Sequence, residues 1–290
     1  MRLAIFSKAD IIGAYNLNAL LSNIKKLASE VTIYLSDKVF PNERGFQPVD
    51  TLTFCERDYP LTQLFPSLEK QENRNSNLLT FQELSAAYSA RVVYMGDNIT
   101  PACKEDIKNF APDLIVSIRH DFILPTEILE SARIGCINTH PGKLPYFRGL
   151  CTPFWAMLEK QEIAYCTVHQ MTKKVDCGPI LALSPWKLDY SRSLLWNTIQ
   201  IYQQGINDLI SILHDSSHTV CTISKSCNDE SKARYFGAPS AEEFKAFSTS
   251  GNIVINEEDY QKIVEPFYNR FTPASPVLPH NGTAVYNHSL

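Results

Sequence analysis

The chain has 290 residues, enough to bury a sizeable core in one large domain, or in a main domain with an appendage, without disulfide or metal staples. Its 44% hydrophobic and 20% charged composition is that of an ordinary globular protein, and its net charge of −4 argues against a dedicated nucleic-acid binder or a polybasic membrane protein. The apolar start Met1 to Phe6 runs straight into polar Ser7-Lys8-Ala9-Asp10, too short for a signal or transit peptide, and no later stretch is long enough to span a bilayer. A cytoplasmic protein without membrane contact is the expectation.

Residues 1 to 38 read as strand, helix, strand: Leu3 to Phe6, a helical segment with Leu17, Leu20, Leu21, Ile24 and Leu27, then Val31 to Leu35. Such a βαβ opening implies a parallel sheet whose ligands bind at the strand carboxyl ends. Pro41 to Asn77 is polar, holds four prolines and lacks sustained periodicity, so it reads as a long surface excursion. Helices are expected at Phe81 to Tyr88, Ala102 to Phe110 and Pro125 to Glu130, and strands at Val92 to Met95, Asp113 to Ile118, Ile134 to Asn138 and Ala164 to Met171. Leu195, Ile199, Tyr202, Ile206, Leu209 and Leu213 recur at steps of three and four, the mark of a long amphipathic helix that closes a main domain over residues 1–213.

Residues 214–290 form a small C-terminal extension, with helices expected near Ala241 to Phe247 and Glu257 to Phe267 and an irregular tail over 273–290. Its six Lys/Arg against nine Asp/Glu give a net of −3. The eight cysteines form no C-x-x-C pair and no Cys/His ligand cluster, so they read as reduced thiols and no metal is expected. The N-x-S/T matches at Asn98, Asn281 and Asn287 read as chance matches.

The chemistry concentrates between Asn138 and Leu181. Asn138 and His140 lie two apart at a strand end and so share a face. The loop from Pro141 to Gly149 follows, and Asp176 sits in a loop between two later strands. An amide, an imidazole and a carboxylate suit acyl transfer to an amine. The amide donates to a developing oxyanion, the imidazole moves a proton near neutral pH, and the carboxylate orients the imidazole or a relaying water. The attacking amine is itself the nucleophile, so no serine or cysteine is required. Taken singly, each residue is more often structural than catalytic.

The run Asn138-x-His140-Pro141-Gly142-x-Leu144-Pro145-x-Phe147-Arg148-Gly149, followed by Thr167-x-His169-x-Met171 and Asp176-x-Gly178-x-Ile180-Leu181, resembles the 10-formyltetrahydrofolate-dependent formyltransferases. The resemblance is strong over residues 113 to 183. It implies an α/β fold with a Rossmann-like, mostly parallel sheet flanked by helices, and 10-formyltetrahydrofolate as co-substrate in one-carbon biosynthetic chemistry. It implies catalytic roles for Asn138, His140 and Asp176, and a folate pocket formed by Arg119, His120, Asp121, Phe122, Ile123 and Leu124 together with Lys173, Lys174 and Val175. Phe122, Ile123 and Leu124 offer an apolar wall to a flat ring, whereas Arg119, His120 and Asp121 have three readings: acceptor, folate or solvent. For Arg148 an anion contact and a loop-fixing hydrogen bond weigh equally, and His169 reads as a structural histidine.

Departures from the family narrow the acceptor. Ser7-Lys8-Ala9-Asp10-Ile11-Ile12-Gly13 lacks the glycine-rich phosphate cradle of glycinamide ribonucleotide transformylases, and the acidic terminal 77 residues lack the basic surplus a tRNA-binding domain needs. The expectation is formyl transfer to a small-molecule amine, such as a nucleotide-linked amino sugar or a modified amino acid, with no nucleic-acid partner and a homodimer left open. Lys8, Asp10, Tyr15, Asn16 and Asn18 are candidate acceptor contacts whose ordinary helix-start reading has the higher prior. The alternatives are a methionyl-tRNA formyltransferase-like enzyme, a formyltetrahydrofolate hydrolase, disfavoured because the chain begins directly with the first strand, and a non-catalytic folate-binding module.

Overall fold

The computed structural model describes residues 1–72, 74–215 and 228–268. The expected tail at 273–290, the matches at Asn281 and Asn287, and Cys221 and Cys227 lie outside the described residues.

Seven strands form the main sheet: β1 (Arg2–Lys8), β2 (Glu30–Ser36), β3 (Arg91–Gly96), β4 (Leu114–Ile118), β5 (Gly135–His140), β7 (Ile163–Gln170) and β8 (Ile180–Lys187). Between β5 and β7 the chain adds a two-residue strand β6 (Arg148–Gly149), which pairs in parallel with β9 (Tyr235–Phe236) in a separate small sheet. The main sheet runs β3-β2-β1-β4-β5-β7-β8, parallel through β5 and antiparallel at β5–β7 and β7–β8. The expected α/β fold with a mostly parallel sheet is what the chain adopts. Strand order reverses between β1 and β4, which opens a crevice at their carboxyl ends.

The central strands are apolar on both faces, as a sheet covered on both sides requires: Leu3, Ile5, Ile33, Leu114 and Val116 face one buried cluster, and Ala4, Phe6, Tyr34 and Ile115 the other. The helix Leu194–Asp215 buries Leu195, Ile199, Tyr202, Ile206, Leu209 and Leu213, the stripe its sequence shows. Phe244, Phe247, Val254, Tyr260, Ile263, Val264 and Phe267 join that same core, so the described part of the C-terminal segment packs as a continuation of the sheet's helical layer.

The stretch after β2 departs from expectation. In place of an irregular excursion, Val49–Thr53, Phe54–Asp58, Pro60–Leu64 and Phe65–Glu69 follow one another as helical turns, the middle two wound as wide π turns. Val49, Cys55, Leu64, Phe65 and Leu68 are buried. Prolines at 60 and 66 and the wide turns shift the helical phase, so the apolar residues do not repeat at 3.6.

Candidate functional site

Asn138 and His140 sit at the carboxyl end of β5, where antiparallel pairing with β7 sets Asn138 opposite His169 and His140 opposite Thr167. The loop that follows is held from β7. The Thr167 hydroxyl donates to the Gly142 carbonyl at 2.5 Å and accepts from the Leu144 amide at 3.2 Å. Gly142 is required for close approach, since a Cβ there would lie 2.4 Å from the Phe147 carbonyl oxygen and 2.7 Å from His140 Nε2.

The Phe147 carbonyl oxygen lies 2.6 Å from His140 Nε2. A carbonyl only accepts, so Nε2 carries the proton of the neutral ring and Nδ1 is left basic. That nitrogen faces Asp176 Oδ2 at 3.7 Å, a separation that suits orientation or a bridging water better than a direct hydrogen bond. His169 shows the opposite tautomer by the same argument. Its Nδ1 donates to the Gln170 carbonyl at 2.9 Å, and its Nε2 accepts from Asn138 Nδ2 at 3.1 Å while lying 3.6 Å from Asp176 Oδ1. The second N–H of the Asn138 amide remains for a further acceptor.

Asp176 is buried, in the left-handed region at φ 54°, and accepts from the Gly149 amide at 3.2 Å. Burial alone would raise its carboxyl, but the His140 and His169 imidazoles and the Gly149 N–H outweigh that and hold it well below the usual carboxylate range. Asn228, which the sequence reading missed, supports the same loop. Its Nδ2 donates to the Asp176 and Gly178 carbonyls at 2.7 and 3.2 Å, and its Oδ1 accepts from Arg148 Nη2 at 2.9 Å. The Arg148 side chain is buried there, with the Tyr235 hydroxyl 3.3 Å from Nη1, which supports the loop-fixing role of the two weighed.

The three residues open onto a cavity of about 350 Å³. Of the expected folate contacts, Arg119, His120, Asp121, Phe122, Ile123, Leu124, Lys174 and Val175 line it. Lys173 does not. It lies on the exposed surface with its Nζ 3.7 Å from Glu130. Phe122, Leu124, Leu129 and Met171 give the pocket an apolar wall. His120 stacks edge-on against Phe6 and Phe122, and burial pushes its imidazole down to about 4 against the pull of the Ser7 carbonyl.

The charged groups of this wall pair among themselves. Arg119 Nε donates to Asp10 Oδ2 at 2.6 Å and its Nη2 to Glu56 Oε2 at 2.8 Å. Lys8 Nζ lies 3.0 Å from Glu43 and 3.1 Å from Asp121. Burial pushes the Glu56 carboxyl up to about 7 despite Arg119. Tyr15, Asn16 and Asn18 stand away from the cavity and serve packing: Tyr15 donates to the Ile263 carbonyl, Asn16 accepts from Gln203, and Asn18 bonds the Ala14 and Leu79 backbone.

A doubly wound α/β sheet with an amide, two imidazoles and a buried carboxylate gathered beside a crevice is an architecture suited to acyl transfer. Residues 66–193 match the formyl transferase family. It is 28% identical to a methionyl-tRNA formyltransferase of Ehrlichia chaffeensis over 60% of this chain and 58% of that one, and 34% identical to the enzyme of the same name from Myxococcus xanthus over 47% and 44%. The chain thus spans about half the length of these curated relatives. In fold it is similar to a phosphoribosylglycinamide formyltransferase from Anaplasma phagocytophilum (TM-score 0.53, 14% identity, 82% of this chain and 99% of that one). It is also similar to a sugar N-formyltransferase from a Shewanella species (TM-score 0.51, 20% identity, 85% and 79%).

Proposed function

We propose that the chain transfers a formyl group from 10-formyltetrahydrofolate to a primary amine of a small-molecule acceptor. The observation that carries this reading is the meeting of Asn138, His140 and Asp176 at one cavity whose remaining wall is apolar enough for a flat ring. The folate supplies an activated formyl group, and the protein's residues do the rest. The Asn138 amide, oriented by His169, aims its second N–H at the formyl oxygen as negative charge develops there. As the amine nitrogen bonds to the formyl carbon, His140 Nδ1 takes a proton from it and returns it to the folate nitrogen when the carbon–nitrogen bond breaks. Asp176 stabilises the protonated ring in between, through space or through a bridging water.

A second reading, an amine carried on tRNA, is favoured by the names of the curated relatives. One assay separates these. Purified chain with 10-formyltetrahydrofolate is scored for tetrahydrofolate release with small amines, with methionyl-tRNA, and with neither. Release that needs a small amine supports the proposal, and release only with methionyl-tRNA supports the second reading. Amine-independent release indicates hydrolysis, and no release with any acceptor overturns the catalytic reading.

A further inference from the structure

The helix Ile11–Ile24 begins directly after β1, so its amino end sits at the switch-point crevice, the place where an α/β sheet ordinarily holds a phosphate on exposed N–H groups. Here the chain fills that position itself. Asp10 is wholly buried, its Oδ1 accepting from the Gly13 amide at 2.7 Å and its Oδ2 from Arg119 Nε at 2.6 Å. The carboxylate therefore takes both the helix end and the nearest guanidinium. The other arm of Arg119 goes to Glu56, and Lys8 is shared between Glu43 and Asp121. Lys8 and Arg119, both in the cavity lining, are thus each held by two carboxylates, Glu43, Asp121 and Glu56 within the lining and Asp10 buried behind it, a pairing that leaves neither cation free for an anion. Val49, Leu52, Phe154, Leu194 and Phe244 add an apolar stretch to the same cavity, whose lining elsewhere includes the polar Thr53, Thr198 and Lys174.

We propose that Asp10 is a built-in anion that occupies the phosphate position, so that this lobe of the cavity selects an amine with an apolar, unphosphorylated body. On the formyl-transfer reading, on which this inference rests, a modified amino acid is then preferred to a nucleotide-linked sugar. Asp10 acts as a specificity residue through the helix end and Arg119, not as a catalytic one.

The test titrates the full chain and its Asp10→Asn and Asp10→Ser variants with inorganic phosphate, ADP and folinic acid. Both substitutes still cap the helix but remove one of the two carboxylate charges held by Arg119, the one at the helix end. The expected result is no saturable phosphate or ADP binding by the unaltered chain and at least about tenfold tighter phosphate binding by the variants. ADP or phosphate binding to the unaltered chain overturns the proposal, as does a folded variant that gains no phosphate affinity. If neither variant folds, the unaltered chain decides the matter alone: ADP binding refutes the proposal and its absence supports it. Folinic acid reports separately on the underlying reading. A chain that fails to bind it counts against formyl transfer, while the phosphate comparison still reads the role of Asp10.

Discussion

Asn138, His140 and Asp176 hold different shares of the proposed reaction, and truncating each removes a different one. His140→Ala deletes the proton carrier and Asp176→Ala the charge that stabilises it, so each is expected to lower kcat at least about a hundredfold. Asn138→Ala removes the oxyanion donor at comparable cost. Single-turnover transfer alongside folate titration checks this: affinity stays near normal while the rate collapses, and a near-normal rate in folded His140→Ala would refute the mechanism. A second expectation concerns His120. Its imidazole titrates near 4 when folded against 6.5 when free, so between those values the unfolded chain binds more protons. Stability is therefore full above pH 6.5 and drains as pH falls toward 4, by at most about 3 kcal/mol from this group. Urea unfolding at stepped pH would show His120→Phe with a flatter slope in that window; an unchanged slope would show that another group is responsible. Of these residues Asn138 and His140 were legible in the sequence, because a two-residue strand period puts them on one face. His169 was legible as a structural histidine, but its contact with Asn138 was not, since that depends on the pairing register of β5 with β7.

Among the elements, the helix Leu194–Asp215 shows how tightly the layer over β7 is fitted. A Cβ at Gly205 would lie 2.3 Å from Cys166 Sγ and 2.8 Å from its Cβ, so this glycine lets helix and strand meet. Gly205→Ala should cost about 1–3 kcal/mol by overpacking, although alanine is the better helix former. Thermal or denaturant unfolding should show part of that loss recovered in the Gly205→Ala, Cys166→Ala double variant, where only the longer of the two contacts remains. Purely additive losses would mean that the glycine serves something other than this contact. The helix itself was readable from its apolar stripe. The turns from Val49 to Glu69 were not, because Pro60, Pro66 and the π turns break the period on which such reading depends, though Val49, Leu52 and Glu56 line the cavity.

At the scale of the whole molecule, the site is closed by residues far along the chain. Ala238, Pro239 and Phe244 line the cavity, and β9 pairs with β6 beside the loop that binds Asp176. Motif spacing carries no sign of this, since the supporting contacts run from single polar side chains to backbone carbonyls. Asn228 is the clearest case: it ties the Asp176 loop to the buried Arg148 guanidinium in one network. Asn228→Ala would leave two carbonyls short of a donor and Arg148 short of an acceptor, at a cost of about 1–3 kcal/mol. On the proposed mechanism its effect on rate follows from geometry, because Asp176 must stay within reach of both imidazoles. A loop free to shift by even about 1 Å should lower kcat on the order of tenfold to a hundredfold, with a smaller change in KM for the folate. Steady-state kinetics at a temperature where the variant remains folded would separate this from instability. An unchanged kcat would show that Asp176 is positioned by its own turn and the Gly149 amide alone, and that the C-terminal segment shapes the cavity without tuning its chemistry.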